Sequence, residues 1–245
     1  MSQGFIVAID GTAGSGKSTT ARLAAKALGF LHIDTGAMYR AVTLKVMRTK
    51  TDLNDLPALR ELLEATRIEF RSGVPAHQAG SRCASTPHVI LDGEDVTQAI
   101  REQAVDKLVS PVSAIPLVRQ RLVAEQRRIA DGRQVVCEGR DITSVVFPDA
   151  DLKFYVDADI AARVNRRQAE LKHKGVTVAG KAIIDNLSER DYIDSTRTHS
   201  PLTRVKDSIY LDTTNLTIEE EVMIVVDLAR MRLERKQAAG GVRVS

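Results

Sequence analysis

The chain has 245 residues, 43% hydrophobic and 27% charged, with a formal net charge of +3. That suits a globular chain able to bury a sizeable core, and is too weakly basic for a protein that coats nucleic acid. Aromatic residues make up only 4% and Trp is absent, which disfavours a platform for stacked bases.

Cys83 and Cys137 lie far apart, and His32, His77, His88, His173 and His199 are scattered. Neither pattern gives a zinc-ligand spacing, and a reduced cytosolic setting is expected. The N-terminal apolar run is too short for a signal peptide, and no stretch approaches the roughly 18 apolar residues of a membrane span. The cytoplasm is the expected location.

Along the chain, "FIVAI" (5–9) reads as a buried parallel strand, followed by helices over 17–28 and about 36–48. Residues 66–97 read as β structure, with a turn at Asp92-Gly93. Helix 115–131 leads to strands at 134–138 and 152–157, then to helices 160–172 and 182–197. A polar, glycine-containing loop expected to be mobile (172–181) joins those two helices. A fourth strand (208–213) and a helix over 217–236 follow. The tail 236–245 shows no packing pattern and is expected to fray. Strands alternating with helices indicate an α/β fold with a parallel sheet.

Between the first strand and first helix, Gly11-Thr12-Ala13-Gly14-Ser15-Gly16-Lys17-Ser18 fits G-x-x-x-x-G-K-[ST]. Its glycines are misspaced for the dinucleotide fingerprint G-x-G-x-x-G. Glycines let backbone N–H groups turn inward around anionic oxygens, and the helix dipole adds to the same point. Lys17 can reach the β- and γ-phosphates of a nucleotide, and the Ser18 hydroxyl can face Mg²⁺. Together with Thr19 this is the expected ATP-binding stretch. A plain glycine-rich turn is the alternative, which the flanking strand and helix disfavour.

A GTPase would carry Asn-Lys-x-Asp, which is absent. What the chain has instead is arginines suited to a second anionic substrate. Arg190, Asp194 and Arg197 fall at i, i+4, i+7, on one helix face, and Arg163, Arg166 and Arg167 form a second cluster at i, i+3, i+4. Solvated helix faces with internal pairs such as Arg190–Asp194 are the alternative. "HIDTGAMYR" (32–40) sets Asp34, Thr35, Tyr39 and Arg40 where a second substrate would approach. "CEGRD" puts Arg140 and Asp141 at the end of a strand, where ligands of open α/β sheets bind. Asp141 there suits an acceptor base, Mg²⁺ or a helix N-cap, and Arg140 a ligand or a surface ion pair.

"DGTAGSGKST", "IDTGAMYR", "EGRDITSVVFPDAD" and "ERDYIDSTR" together resemble the bacterial cytidylate kinases, a branch of the nucleoside monophosphate kinases, from about residue 4 to about 234. The resemblance implies a P-loop NTPase core (1–35, 100–159 and 200–235) and an inserted NMP-binding lobe (36–99). It also implies a lid region with an arginine-bearing helix (160–199), leaving 236–245 as a disordered tail. It further implies a monomer without membrane or stable nucleic-acid partners, and transfer of the γ-phosphate of ATP·Mg²⁺ to CMP or dCMP.

By the same resemblance, Thr35 and Arg40 surround the acceptor, while Ser110, Arg119 and Asp141 read cytosine. Arg190 and Arg197 bind the acceptor phosphate, Asp194 the sugar hydroxyls, and Arg163 and Arg167 meet the transferring phosphoryl group. Two departures stand out: a longer connection at 71–87, and Thr35 where many relatives have Ser. The rival readings are another acceptor, such as UMP, AMP or shikimate, and a nucleotide-dependent RNA-binding regulator.

Overall fold

The computed structural model describes residues 4–71, 88–173, 175–176 and 178–240. The long connection expected over 71–87 lies past Arg71 outside the described residues, with His77 and Cys83. So do Lys174 and Thr177 of the 172–181 loop, and residues 241–245 of the tail.

In chain order the elements begin with β1 (Phe5–Gly11), α1 (Lys17–Leu28), β2 (Leu31–Asp34), α2 (Thr35–Thr49) and α3 (Leu56–Glu64). Next come β3 (Ile68–Arg71), β4 (His88–Leu91), β5 (Glu94–Asp95), α4 (Gln103–Ala114) and α5 (Pro116–Ala130). The chain continues through β6 (Gln134–Gly139), β7 (Leu152–Asp157), α6 (Ile160–His173), α7 (Gly180–Thr196), β8 (Ile209–Asp212) and α8 (Ile218–Gly240).

These elements form two compact units. One comprises the chain up to Asp34 and from Arg127 onward, the other Thr35–Gln126. The insert expected over 36–99 falls wholly within the second unit, which also takes in residues 100–126.

The first unit is built on a five-stranded sheet in the order β2-β6-β1-β7-β8, every pair parallel. Its central strands are buried, as a parallel sheet covered on both faces requires. Phe5, Val7 and Ile9 of β1 pack with Phe154 and Val156 of β7 against α1 and α8. The small residues Ala21, Ala24 and Ala25 let α1 approach closely, and Val225, Val226 and Ala229 do the same for α8. The four expected strands are present. β2 is the addition: "LHID" is too short and too mixed in polarity to stand out as a buried strand.

In the second unit, β3, β4 and β5 form an antiparallel sheet. The expected turn joins β4 to β5, with Asp92 at φ 50° and Gly93 at φ 91°, the pair of positive φ values that two-residue hairpins favour. Helices α3 and α4 have no counterpart among the expected elements. Asp55 caps α3 by accepting from the Ala58 N–H at 3.0 Å, and α4 continues past Pro111 in its interior. Proline there argues against a helix on propensity alone.

The expected tail needs a correction over residues 236–240 alone. α8 runs on to Gly240, because Lys236 is anchored rather than loose. Its ammonium donates to Gly4 O at 2.8 Å and Asp151 Oδ1 at 2.6 Å, and stands 5.6 Å from the Phe5 ring centroid. Among the described residues no helix is long and apolar enough to cross a membrane.

Replacing Lys236 by Met should therefore lower unfolding free energy by about 1–2 kcal/mol in urea titrations, the scale of a lost charge-assisted hydrogen bond. A change within error would return this stretch to an unanchored tail.

Candidate active site

The glycine-rich loop sits between β1 and α1 in a conformation only glycine supplies at its two ends. At Gly11 (φ 156°) a Cβ would lie 2.0 Å from Val156 O, and at Gly16 (φ 95°) it would lie 2.9 Å from a Glu221 carboxylate oxygen. No side chain caps α1 at Gly16, so the helix dipole opens toward the loop.

Three outward carbonyls of the loop have side-chain partners. Thr12 O accepts from Ser15 Oγ at 3.0 Å and Lys17 Nζ at 2.9 Å, and Ala13 O from Arg163 Nη1 at 3.1 Å. Ser15 O accepts from Thr213 Oγ1 at 2.8 Å and Arg166 Nη1 at 3.2 Å. Behind the loop, the Thr20 hydroxyl donates to Glu221, whose carboxyl burial pushes above its usual value.

Lys17 is buried in a field of like charge. Burial first, then the guanidiniums of Arg140 and Arg190, lower its pKa to about 7, against the opposing pull of Glu138 and Asp194. A cation held this way gains most from an arriving anion. Next to it, the Ser18 hydroxyl donates to Glu138 Oε2 at 2.6 Å. His32 Nε2 stands 3.4 Å from the other oxygen, Glu138 Oε1. Burial opposes the Glu138 charge, but His32, Lys17 and Ser18 outweigh it and hold the carboxyl below its usual range. Among the described residues no group of three or more His, Cys, Asp or Glu forms a metal cage. A pair of hard oxygen donors beside a phosphate loop still fits Mg²⁺, which keeps several waters and takes phosphate oxygens as ligands.

The strand β6 ends at Gly139, paired with Asp10 of β1, and delivers Arg140 and Asp141 into the same region. Asp10 clamps the turn that follows. Its carboxylate accepts from the Ile142 and Thr143 amides, both at 2.8 Å, and from the Thr143 hydroxyl at 2.6 Å. Burial pushes the Asp10 carboxyl up to about 6 despite those bonds. Residues 142–146 form a single π-helical turn, a feature common at functional sites.

Of the expected residues, the first unit brings Arg140, Asp141, Asp194 and Arg197 together. Arg140 Nε donates to Asp194 Oδ2 at 2.7 Å, Arg197 lies 3.8 Å from Asp194 and 3.9 Å from Asp141, and Arg190 adds to the field on Asp194. Asp34 ends β2, in register with Glu138. The α6 arginines separate: Arg163 and Arg166 bond the loop, while Arg167 pairs with Glu170 at 2.7 Å along the helix. Thr35, Tyr39, Arg40, Ser110 and Arg119 belong to the second unit. There Arg119 lies over the Tyr39 ring at 5.7 Å, Arg40 pairs with Asp106 and donates to Ile100 O at 3.1 Å, and Ser110 and Thr35 are buried.

Sequence reasoning missed Glu138, Asp10, Asp191 and Glu221. Glu138 carried a usable signal, an acid at the C-terminal end of a strand, immediately before "GRD". Asp10, Asp191 and Glu221 carried none, because their partners are 133, 178 and 201 residues away in sequence.

Comparison with known proteins agrees along nearly the whole chain. A family model described as cytidylate kinase matches residues 7–231. Relatives named cytidylate kinase include one from Pelotomaculum thermopropionicum, 44% identical over 94% of this chain and 97% of its own length. Another, from Caldanaerobacter subterraneus subsp. tengcongensis, is 46% identical over 91% of this chain and 94% of its own length. A third, from Chlorobaculum tepidum, is 45% identical over 95% of each chain.

The depressed Lys17 pKa has a measurable consequence. Above pH 7 the unliganded lysine is increasingly neutral, and a bound polyphosphate restores its charge. Binding should therefore take up protons, and affinity should fall by up to about tenfold per pH unit between pH 7 and 9. Calorimetry with inorganic tripolyphosphate in buffers of different ionisation enthalpy measures both. Constant affinity without proton uptake would mean that Lys17 is already charged in the free protein.

Proposed function

The chain belongs to the cytidylate kinase family, and on that premise we infer that it transfers the γ-phosphate of ATP to CMP or dCMP, giving ADP and CDP or dCDP. The observation that carries this reading is the charge arrangement of the first unit. Lys17 at the phosphate loop is crowded by Arg140 and Arg190, and Arg140 and Arg197 are gathered on Asp194. Such an excess of fixed cations around one buried lysine suits two phosphorylated substrates.

An oxygen of the CMP phosphate attacks the γ-phosphorus, and the bond to the β-bridging oxygen breaks with its electrons going to ADP. The attacking oxygen is already anionic, so no side-chain base is needed. The enzyme's part is positioning and charge stabilisation. Lys17 and the amides of residues 14–18 hold the ATP phosphates. Ser18 and Glu138 would hold Mg²⁺, which when bound neutralises charge on the phosphate oxygens. Arg190 and Arg197 take the acceptor phosphate and Asp194 the sugar hydroxyls.

Asp141 accepts from the cytosine amino group, as carboxylates do elsewhere. Uracil offers a carbonyl at that position, so two acceptors would face each other. For the second unit, the family resemblance implies base recognition by Ser110 and Arg119 and acceptor contacts from Thr35, Tyr39 and Arg40. The enzyme works as a cytoplasmic monomer.

An acceptor panel with ATP and Mg²⁺ tests this directly. CMP and dCMP should exceed UMP and AMP in kcat/KM by at least about tenfold to a hundredfold, the discrimination of one well-placed base contact. Equal or faster turnover of UMP would remove Asp141 as the base reader. The variant Asp141→Ala should raise the KM for CMP with that for ATP little changed. Exchanging Glu138 for Gln should raise the Mg²⁺ concentration needed for half-maximal rate by about tenfold; an unchanged Mg²⁺ titration would detach this carboxylate from the metal.

A further inference from the structure

Ala13, at the tip of the phosphate loop, is held by the α6–α7 pair at three separate points. Its N–H donates to Asp191 Oδ1 at 2.9 Å, and its carbonyl accepts from Arg163 Nη1 at 3.1 Å. Its methyl is buried in a small apolar cluster with Val164 of α6 and Ile183 and Leu187 of α7. The two polar side chains then close on each other, Arg163 Nη1 donating to Asp191 Oδ2. The Arg163 side chain is 10% exposed and that of Asp191 20%, so the pair is well shielded from solvent.

This arrangement commits both groups. A loop amide bonded to Asp191 is turned away from an anion in the cradle, so Ala13 N–H is an anchor and not a phosphate donor. Drawing Arg163 out to a phosphoryl group would break its bond to Ala13 and strand the Asp191 carboxylate, and a buried charge robbed of its partner is costly.

We propose that Arg163 and Asp191 are positioning residues that dock α6 and α7 onto Ala13 and so set the loop tip for ATP before it arrives, rather than contacts to the transferring phosphoryl group. The proposal rests on the donor-site reading of the loop. It assigns Arg163 a role different from the one implied by family resemblance. Where only a fraction of molecules carry the loop in its competent form, apparent affinity falls by that fraction. Loss of either side chain therefore weakens ATP binding with little effect on the chemical step at saturation.

The test combines amide hydrogen exchange by NMR on the nucleotide-free enzyme with steady-state kinetics. In Asp191→Ala and Arg163→Ala, exchange at Ala13 should rise by about tenfold or more, with β1 and β7 amides unchanged. The KM for ATP should rise about tenfold, with kcat within about twofold and the KM for CMP unmoved. The double variant should be no worse than the worse single one, because the two act as a unit.

Asp191→Asn serves as a second variant, keeping an acceptor for Ala13 but losing the ion pair, and should fall between wild type and Asp191→Ala. If the alanine variants lose β1 protection, this variant decides the matter. The proposal is overturned if Arg163→Ala cuts kcat a hundredfold or more at saturating ATP while Ala13 exchange stays at the wild-type rate, or if Asp191→Asn changes neither exchange nor the ATP KM. The exchange measurement needs no nucleotide. Protected Ala13 in a wild-type protein that fails to bind ATP would sink the donor reading and leave the docking standing.

Discussion

A loop that turns its amides inward around an anion must send its carbonyls outward, and every outward carbonyl that leaves water needs a donor. That requirement organises the first unit. Thr12 O is answered from within the loop by Ser15 and Lys17, Ala13 O from α6 by Arg163, and Ser15 O by Thr213 after β8 and Arg166 from α6. The Thr12 hydroxyl is tied in turn to Asp157 at the end of β7, at 2.7 Å. Segments far apart in sequence are thus gathered to keep one short loop in one conformation. Gly11 lets the loop leave β1 against Val156 O, where any side chain would collide.

The same economy governs the charges. Arg140 and Arg190 repel Lys17, and the folded chain tolerates this because Asp194 and Glu138 are interleaved with them, as Asp194 and Asp141 are with Arg197. A cluster whose cations are held by carboxylates is preorganised for anions without the reorganisation that loose surface arginines would need. Asp10 extends the scheme from donor loop to acceptor turn. It immediately precedes Gly11, and its carboxylate fixes the amides that immediately follow Asp141. Small displacements of the loop strand would therefore be felt at the residue proposed to read the base.

Much of this was legible in the sequence, and the reasons are particular. The phosphate loop announced itself because its glycine and lysine spacing is fixed by local backbone geometry. The strands at 5–9 and 134–138 were readable because burial on both faces demands apolar runs, and those at 152–157 and 208–213 because short apolar stretches stand directly before helical patterns, although in Ile209–Asp212 only Leu211 is buried. β2 escaped because four residues of mixed polarity show no period, and α4 because Pro111 punctuates it. Glu138 stood in plain view beside "GRD", but only the register of β6 against β1 and β2 shows that it faces Ser18 and His32. Asp10, Asp191 and Glu221 were unreadable for a different reason: each serves a backbone segment or hydroxyl far away in sequence, and nothing local marks the partner.

The arginines make the sharpest case. Arg163, Arg166 and Arg167 look equivalent in sequence, one basic cluster on one helix. In the fold they divide by what accepts from them. Arg163 bonds the Ala13 carbonyl and Asp191, Arg166 the Ser15 carbonyl and both oxygens of Thr213, and Arg167 the neighbouring Glu170. Helical spacing decides which side chains share a face; it does not decide whether that face meets substrate, backbone or solvent. A guanidinium bound to main-chain oxygens beside an anion site supports the site through geometry, and its charge still adds to the local field. The positive face of this α6–α7 pair is therefore partly scaffold, and counting its arginines overstates how many substrate contacts it makes.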